Sequence, residues 1–156
     1  MRTAKRLLVV AHTPSPNTAR LLAAVLQGAR HPDIDGVHVT HVAALDAGPD
    51  DIRRCDAIIL FTTENLGYMS GALKDFFDRS YYPLLEEKQG LPCALLIRAG
   101  HDGTGTRRAV EAILAGLRWK LVQAPLTLRG DWQDGFVAQA EELGMAMAAG
   151  LDAGIL

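Results

Sequence analysis

Apolar runs alternate with amphipathic stretches along this chain. Leu7-Leu8-Val9-Val10-Ala11 is continuous and β-branched at its centre, the pattern of a strand buried on both faces. From Thr18 to Ala29, Leu21, Leu22, Val25 and Leu26 recur at helical spacing, with Arg20 and Gln27 off that face. His31-Pro32-Asp33 ends this helix, and the half-polar run Val37-His38-Val39-Thr40-His41-Val42 predicts a second strand. A turn at Gly48-Pro49-Asp50-Asp51 leads into a short helix reaching Arg54. Ala57-Ile58-Ile59-Leu60-Phe61 is a third strand, followed by a polar loop and a helix marked by Leu73, Phe76, Phe77 and Ser80. Cys93-Ala94-Leu95-Leu96-Ile97 is a fourth strand, and Val110, Ile113, Leu114 and Leu117 mark the next helix. A weaker fifth strand between Trp119 and Leu128 is interrupted by Pro125, and a last helix runs from about Gln133 to Leu151.

Strands alternating with helices imply a parallel sheet joined by right-handed crossovers. Strands one, three and four are continuously apolar and belong at the centre. Strands two and five are half-polar and belong at the edges. Those assignments select the strand order 2-1-3-4-5 for a three-layer, doubly wound α/β fold of five strands. With 156 residues and no repeat or linker, the whole chain, 1–156, reads as a single domain.

Composition narrows the function. Apolar residues make up 49% and charged residues 22%, which excludes a disordered or fibrous chain. Eighteen acidic and 16 basic residues give a net charge of −2, not the footprint of a nucleic-acid binder. The two cysteines, Cys55 and Cys93, share no zinc or dithiol spacing and sit in or beside apolar runs. Arg2, Lys5 and Arg6 precede an apolar stretch of only five residues, too short for a signal-peptide core. No run approaches a membrane span. The expectation is a soluble, cytoplasmic protein.

In an open sheet of this order, ligands sit beyond the carboxyl ends of the strands. Three unusual loops occupy that edge. His12-Thr13-Pro14-Ser15-Pro16-Asn17-Thr18 crowds hydroxyls and an amide at a helix start, where free N–H groups favour an anion. A phosphate held there would bond Thr13, Ser15, Asn17 and Thr18. With no Lys or Arg between Arg6 and Arg20, dipoles would supply the compensation. Neither GxxxxGK[ST] nor GxGxxG occurs here. The second loop, Thr62-Thr63-Glu64-Asn65-Leu66-Gly67-Tyr68-Met69-Ser70-Gly71, can offer backbone amides to a flat heterocycle while Tyr68 or Leu66 covers a face. Its GxxSG spacing is not a hydrolase elbow. The third, Ala99-Gly100-His101-Asp102-Gly103-Thr104-Gly105-Thr106, allows close backbone approach, with His101 as a polar wall or a base.

The first loop resembles the flavodoxin phosphate motif T-x-T-x-N-T, with Ser15 for the second Thr. The stretch Asn65 to Asp78 resembles G-x-x-[SA]-G-x-[LM]-K-x-F-x-D of the NAD(P)H-dependent FMN reductases and quinone oxidoreductases of the flavodoxin-like superfamily, a group that includes tryptophan-repressor-binding-protein-like enzymes. The resemblance implies FMN as cofactor, with its phosphate on His12, Thr13, Ser15, Asn17 and Thr18. Thr62, Thr63, Glu64, Asn65, Leu66, Gly67 and Tyr68 would line the isoalloxazine, and Ala99, Gly100, His101, Asp102 and Gly103 would border its pyrimidine side. It further implies NAD(P)H as hydride donor, a quinone or similar small acceptor, and a homodimer or higher homo-oligomer. The cofactor performs the chemistry, so no catalytic side chain and no metal are expected. Three departures stand out: Pro14 and Pro16 remove two N–H donors, Glu64 puts a charge beside the expected ring, and no long insertion follows strand three. The alternatives are a flavodoxin-type electron carrier, which a net charge of −2 disfavours, and a binding module of the same fold without flavin.

Overall fold

The computed structural model describes residues 3–156, so Arg2 of the N-terminal basic cluster lies outside the described residues. The element order is β1 (Lys5–Ala11), α1 (Pro16–Ala29), β2 (Val37–Ala43), α2 (Pro49–Arg53), β3 (Ala57–Asn65), β4 (Tyr68–Met69), α3 (Gly71–Leu84), β5 (Pro92–Ala99), α4 (Thr104–Leu117), β6 (Lys120–Leu121), β7 (Leu126–Arg129) and α5 (Gly135–Ala153). The parallel sheet runs β2-β1-β3-β5, with β6 and β7 both beside β5. This is the expected order with its fifth strand in two pieces. Cys93 pairs with Leu121 and Leu96 with Leu126. The bridge Val122 to Pro125 therefore spends four residues where β5 spends two, Ala94 and Leu95. Proline cannot donate to a ladder, so the break falls there on an edge strand.

Alternation along the central strands builds two cores on one sheet. Leu8, Val10, Ile58, Leu60, Leu95 and Ile97 face α2, α3 and α4. Leu7, Val9, Ile59, Phe61 and Leu96 face α1 and α5. A Cβ on Gly28 would lie 2.0 Å from the carbonyl oxygen of Glu141, and one on Gly144 would lie 2.0 Å from that of Val25. Backbone contact between α1 and α5 thus fixes their spacing and brings the loop before α5 next to the start of α1.

Candidate functional site

All three candidate loops leave the carboxyl edge of the sheet, after β1, β3 and β5. The first departs when the His12 N–H donates to the Phe61 carbonyl at 3.1 Å, extending the β1–β3 ladder by one bond. Ser15 then caps α1. Its Oγ accepts the Thr18 N–H at 3.2 Å, while Thr18 Oγ1 accepts the Ser15 N–H at 3.0 Å, a capping box that absorbs both residues. Pro14 and Pro16 carry no N–H, so Thr13, the Asn17 N–H and carboxamide, and the half-buried His12 imidazole are the donors this loop leaves open. The composition overstated the free donors by two hydroxyls.

The second segment is not a loose loop. β3 continues to Asn65 and turns back into β4, pairing Asn65 with Tyr68 and Glu64 with Met69. Leu66 (φ 54°) and Gly67 (φ 74°) form the two-residue turn, which needs positive φ at both positions. Leu66 holds this left-handed conformation with its side chain fully exposed. The hairpin is bolted down on two sides. The fully buried Thr62 hydroxyl donates to Ser70 Oγ at 3.2 Å and accepts the Ser70 N–H at 3.0 Å, and Ser70 caps α3 through the Leu73 N–H. Thr106 Oγ1 donates to the Tyr68 carbonyl at 2.9 Å, and a Cβ on Gly105 would come within 2.1 Å of the Gly67 carbonyl oxygen. Thr62 is therefore a fastening of the hairpin. Thr63, Asn65 and Tyr68 share the face of the ribbon on the α1 side, with Thr63 Oγ1 donating to Asn65 Oδ1 at 2.8 Å.

In the third loop the outcome turns on Glu64. Its carboxylate accepts the His101 N–H at 2.9 Å and the Gly103 N–H at 2.8 Å. The amides at the start of α4 are thus already filled by an anion from the chain itself. The Thr104 N–H bonds Asp102 Oδ1 at 3.0 Å and holds that exposed carboxyl below its ordinary range, so Asp102 stays ionised near neutral pH. Ala99 is buried and its carbonyl accepts the Gly130 N–H at 2.9 Å, while Gly100 and His101 are exposed.

A fourth segment, following β7, joins this edge. Trp132, after β7, meets Phe136 edge-on at 5.6 Å, and its Nε1 donates to Asp134 Oδ1 at 3.2 Å. The Arg20 guanidinium lies 5.1 Å from the Trp132 ring centre, and that of Arg98 lies 5.1 Å from the Phe136 ring centre. Arg20 also reaches Asn17 Oδ1 at 3.5 Å, so a cation does stand beside the first loop. Counting Lys and Arg along the loop could not show this, because the side chain folds back from a full turn into α1. The signal was the tryptophan at the end of the fifth strand.

Other chemistry lies elsewhere. Cys55 and Cys93 are buried free thiols in the core on the α3 side. His38 and His41 border a cavity of about 290 Å³ with Arg6, Asp51 and Arg54, beside β2 and α2. No cluster of metal-ligating side chains occurs among the described residues, and none of their helices is long and apolar enough to cross a membrane.

No family model matches the chain, and no curated protein matches it. Solved structures do. The fold is flavodoxin-like: an archaeal flavodoxin superposes with a TM-score of 0.77 at 18% identity, over 92% of this chain and 96% of its own. A flavodoxin, WrbA-like protein from Agrobacterium tumefaciens gives 0.77 at 19% identity, over 98% and 100% of the two chains. An oxidoreductase from Corynebacterium diphtheriae gives 0.67 at 16% identity, over 97% of each.

Proposed function

We propose that this protein binds FMN at the carboxyl edge of its sheet and acts as an NAD(P)H-dependent oxidoreductase that passes electrons to a quinone or a similar small acceptor. The observation that carries the reading is the division of donors along that edge. Open hydroxyl, N–H and carboxamide groups stand at the start of α1, in Thr13 and Asn17, whereas Glu64 already fills the amides at the start of α4. A phosphate monoester fits the first position and not the second, which sets the direction of an elongated ligand across the β3–β4 hairpin.

In this reading Thr13 and Asn17 bind the phosphate. Thr63 and Asn65 present polar groups to the ring system, and Tyr68, 41% exposed, with Leu66 forms its apolar wall. The bound flavin supplies hydride acceptance and electron release, and the protein supplies binding, orientation and a fixed electrostatic field. The Glu64 carboxylate keeps a negative charge at the far end of that site. Rigidity of the hairpin, secured by Thr62, Ser70 and Thr106, keeps its two faces at constant spacing. A homodimer as the functional unit is carried as part of the proposal, on the resemblance of the second segment to the reductase signature.

The experiment is direct. Purified protein, mixed with FMN and desalted, should retain the visible flavin bands and then oxidise NADH or NADPH faster when a quinone is added. A protein that remains colourless after loading overturns the reading. Retained flavin without turnover of either nucleotide reduces it to flavin binding alone.

A further inference from the structure

The donor inventory of the first loop leaves a deficit. Two prolines and a closed capping box leave Thr13, Asn17 and the His12 imidazole, with no Lys or Arg in the loop itself, to hold a phosphate that carries close to two negative charges at neutral pH. The row of rings and cations beside it supplies a candidate for the missing charge. Arg98 is committed, because its Nη1 donates to the carbonyls of Ala99 at 2.7 Å and Leu128 at 3.0 Å. Arg20 is not: its neighbours are the Trp132 ring and one long contact to Asn17 Oδ1. On or next to the helices, Arg53, Arg54, Arg79 and Arg107 pair with carboxylates, and the exposed Arg108 of α4 has no such pair and no ring beneath it among the described residues, so an unpaired guanidinium held on a ring is the exception on this surface. Stacking on a ring fixes the plane of a guanidinium while leaving its edge N–H groups free to fork onto a phosphate.

We propose that Arg20, held in place by Trp132, is the specificity-determining cation of this site and makes it select a phosphorylated ligand over the same ligand without its phosphate. The proposal rests on the FMN reading and names the residue that reading lacked. Trp132 is a positioning residue in this scheme. Arg20 occupies one face of its ring, so that face is not a platform for the flavin.

The test is a fluorescence titration of the flavin-free protein with FMN and with riboflavin, for wild type, Arg20→Gln, Arg20→Lys and, as a charge control on the far side, Arg108→Gln. The expected result is a loss of about tenfold in FMN affinity for Arg20→Gln with riboflavin affinity unchanged. A shallower salt dependence for FMN, partial retention by Arg20→Lys and no effect of Arg108→Gln should accompany it. Equal weakening for both flavins, or no weakening at all, overturns the role of Arg20 while leaving the FMN reading intact. If wild type holds neither flavin, that reading falls, and inorganic phosphate becomes the probe. The indole N–H signals of the two tryptophans in ¹⁵N-labelled protein then report the loop. A phosphate-dependent shift of the Trp132 signal that Arg20→Gln abolishes supports the inference, and its absence in wild type overturns it.

Discussion

The Glu64 carboxylate accepts the Gly103 N–H at 2.8 Å, tying the end of β3 to the start of α4 across the carboxyl edge of the sheet. With the bond to the His101 N–H at 2.9 Å, both carboxylate oxygens are used. Charge-assisted bonds of this kind are worth about 1.5–3 kcal/mol where the partners are shielded, and less at a half-exposed position such as this one. Glu64→Gln turns one acceptor into a donor facing an N–H. It should lower stability by about 1–2 kcal/mol, some 2–8 °C in Tm for a chain of this size. Hydrogen exchange of the His101 and Gly103 amides should quicken in the variant while the core strands stay protected.

Leu66 should yield the opposite sign. A branched side chain at φ 54° costs roughly 1 kcal/mol that asparagine, tolerant of left-handed backbone, does not incur. Leu66→Asn would create an Asn-Gly pair in a two-residue hairpin turn and should raise Tm by a few degrees. If the exposed leucine is kept as a wall for the ring system, the same variant should bind FMN more weakly. A gain in Tm together with a higher Kd is the expected signature of strain retained for binding.

These two residues also mark where the sequence stops being legible. The strand order could be read because burial on both faces demands continuous apolar runs, as in Leu7 to Ala11, Ala57 to Phe61 and Cys93 to Ile97, and edges do not. The β3–β4 hairpin could not, because Leu-Gly lacks the asparagine that announces such a turn. Likewise Ser15 and Thr18 looked like ligand donors, since composition shows which groups can bond but not that two of them bond each other. Pro125 showed where the fifth strand breaks, but not the two-residue register change between β6 and β7. Glu64 meets His101 and Arg20 meets Trp132 only after the sheet and the α1–α5 contact have brought distant segments together.

Gly105 and Gly100 form a matched pair in one loop. A Cβ at 105 would press to within 2.1 Å of the Gly67 carbonyl oxygen, a backbone atom that cannot rotate away, whereas a Cβ at 100 would meet nothing within 4 Å. Gly105→Ala should therefore push the hairpin off α4 and cost about 1–3 kcal/mol. Gly100→Ala should leave thermal stability within about 0.5 kcal/mol of wild type. Flavin affinity should follow the same order, since only the first variant moves Tyr68 and its carbonyl bond to Thr106.

The two thiols give a pH prediction. Burial pushes the Cys55 thiol up to about 11 from an ordinary value of 9.0, with the nearby Lys88 opposing the shift, and burial raises Cys93 as well. A thiol whose folded value is raised binds its proton more tightly in the folded chain, so the unfolded chain releases that proton first as pH climbs. The stability linked to Cys55 is therefore fully present below about pH 9 and is lost progressively between about pH 9 and 11. Denaturant midpoints should fall across that window, and Cys55→Ser with Cys93→Ala should flatten the fall. At pH 8 the native protein should react with a disulfide reagent only at the rate of opening, because the thiolate is the nucleophile and the fold withholds it. Rapid stoichiometric labelling of either thiol in the folded protein would contradict the burial from which this prediction is drawn.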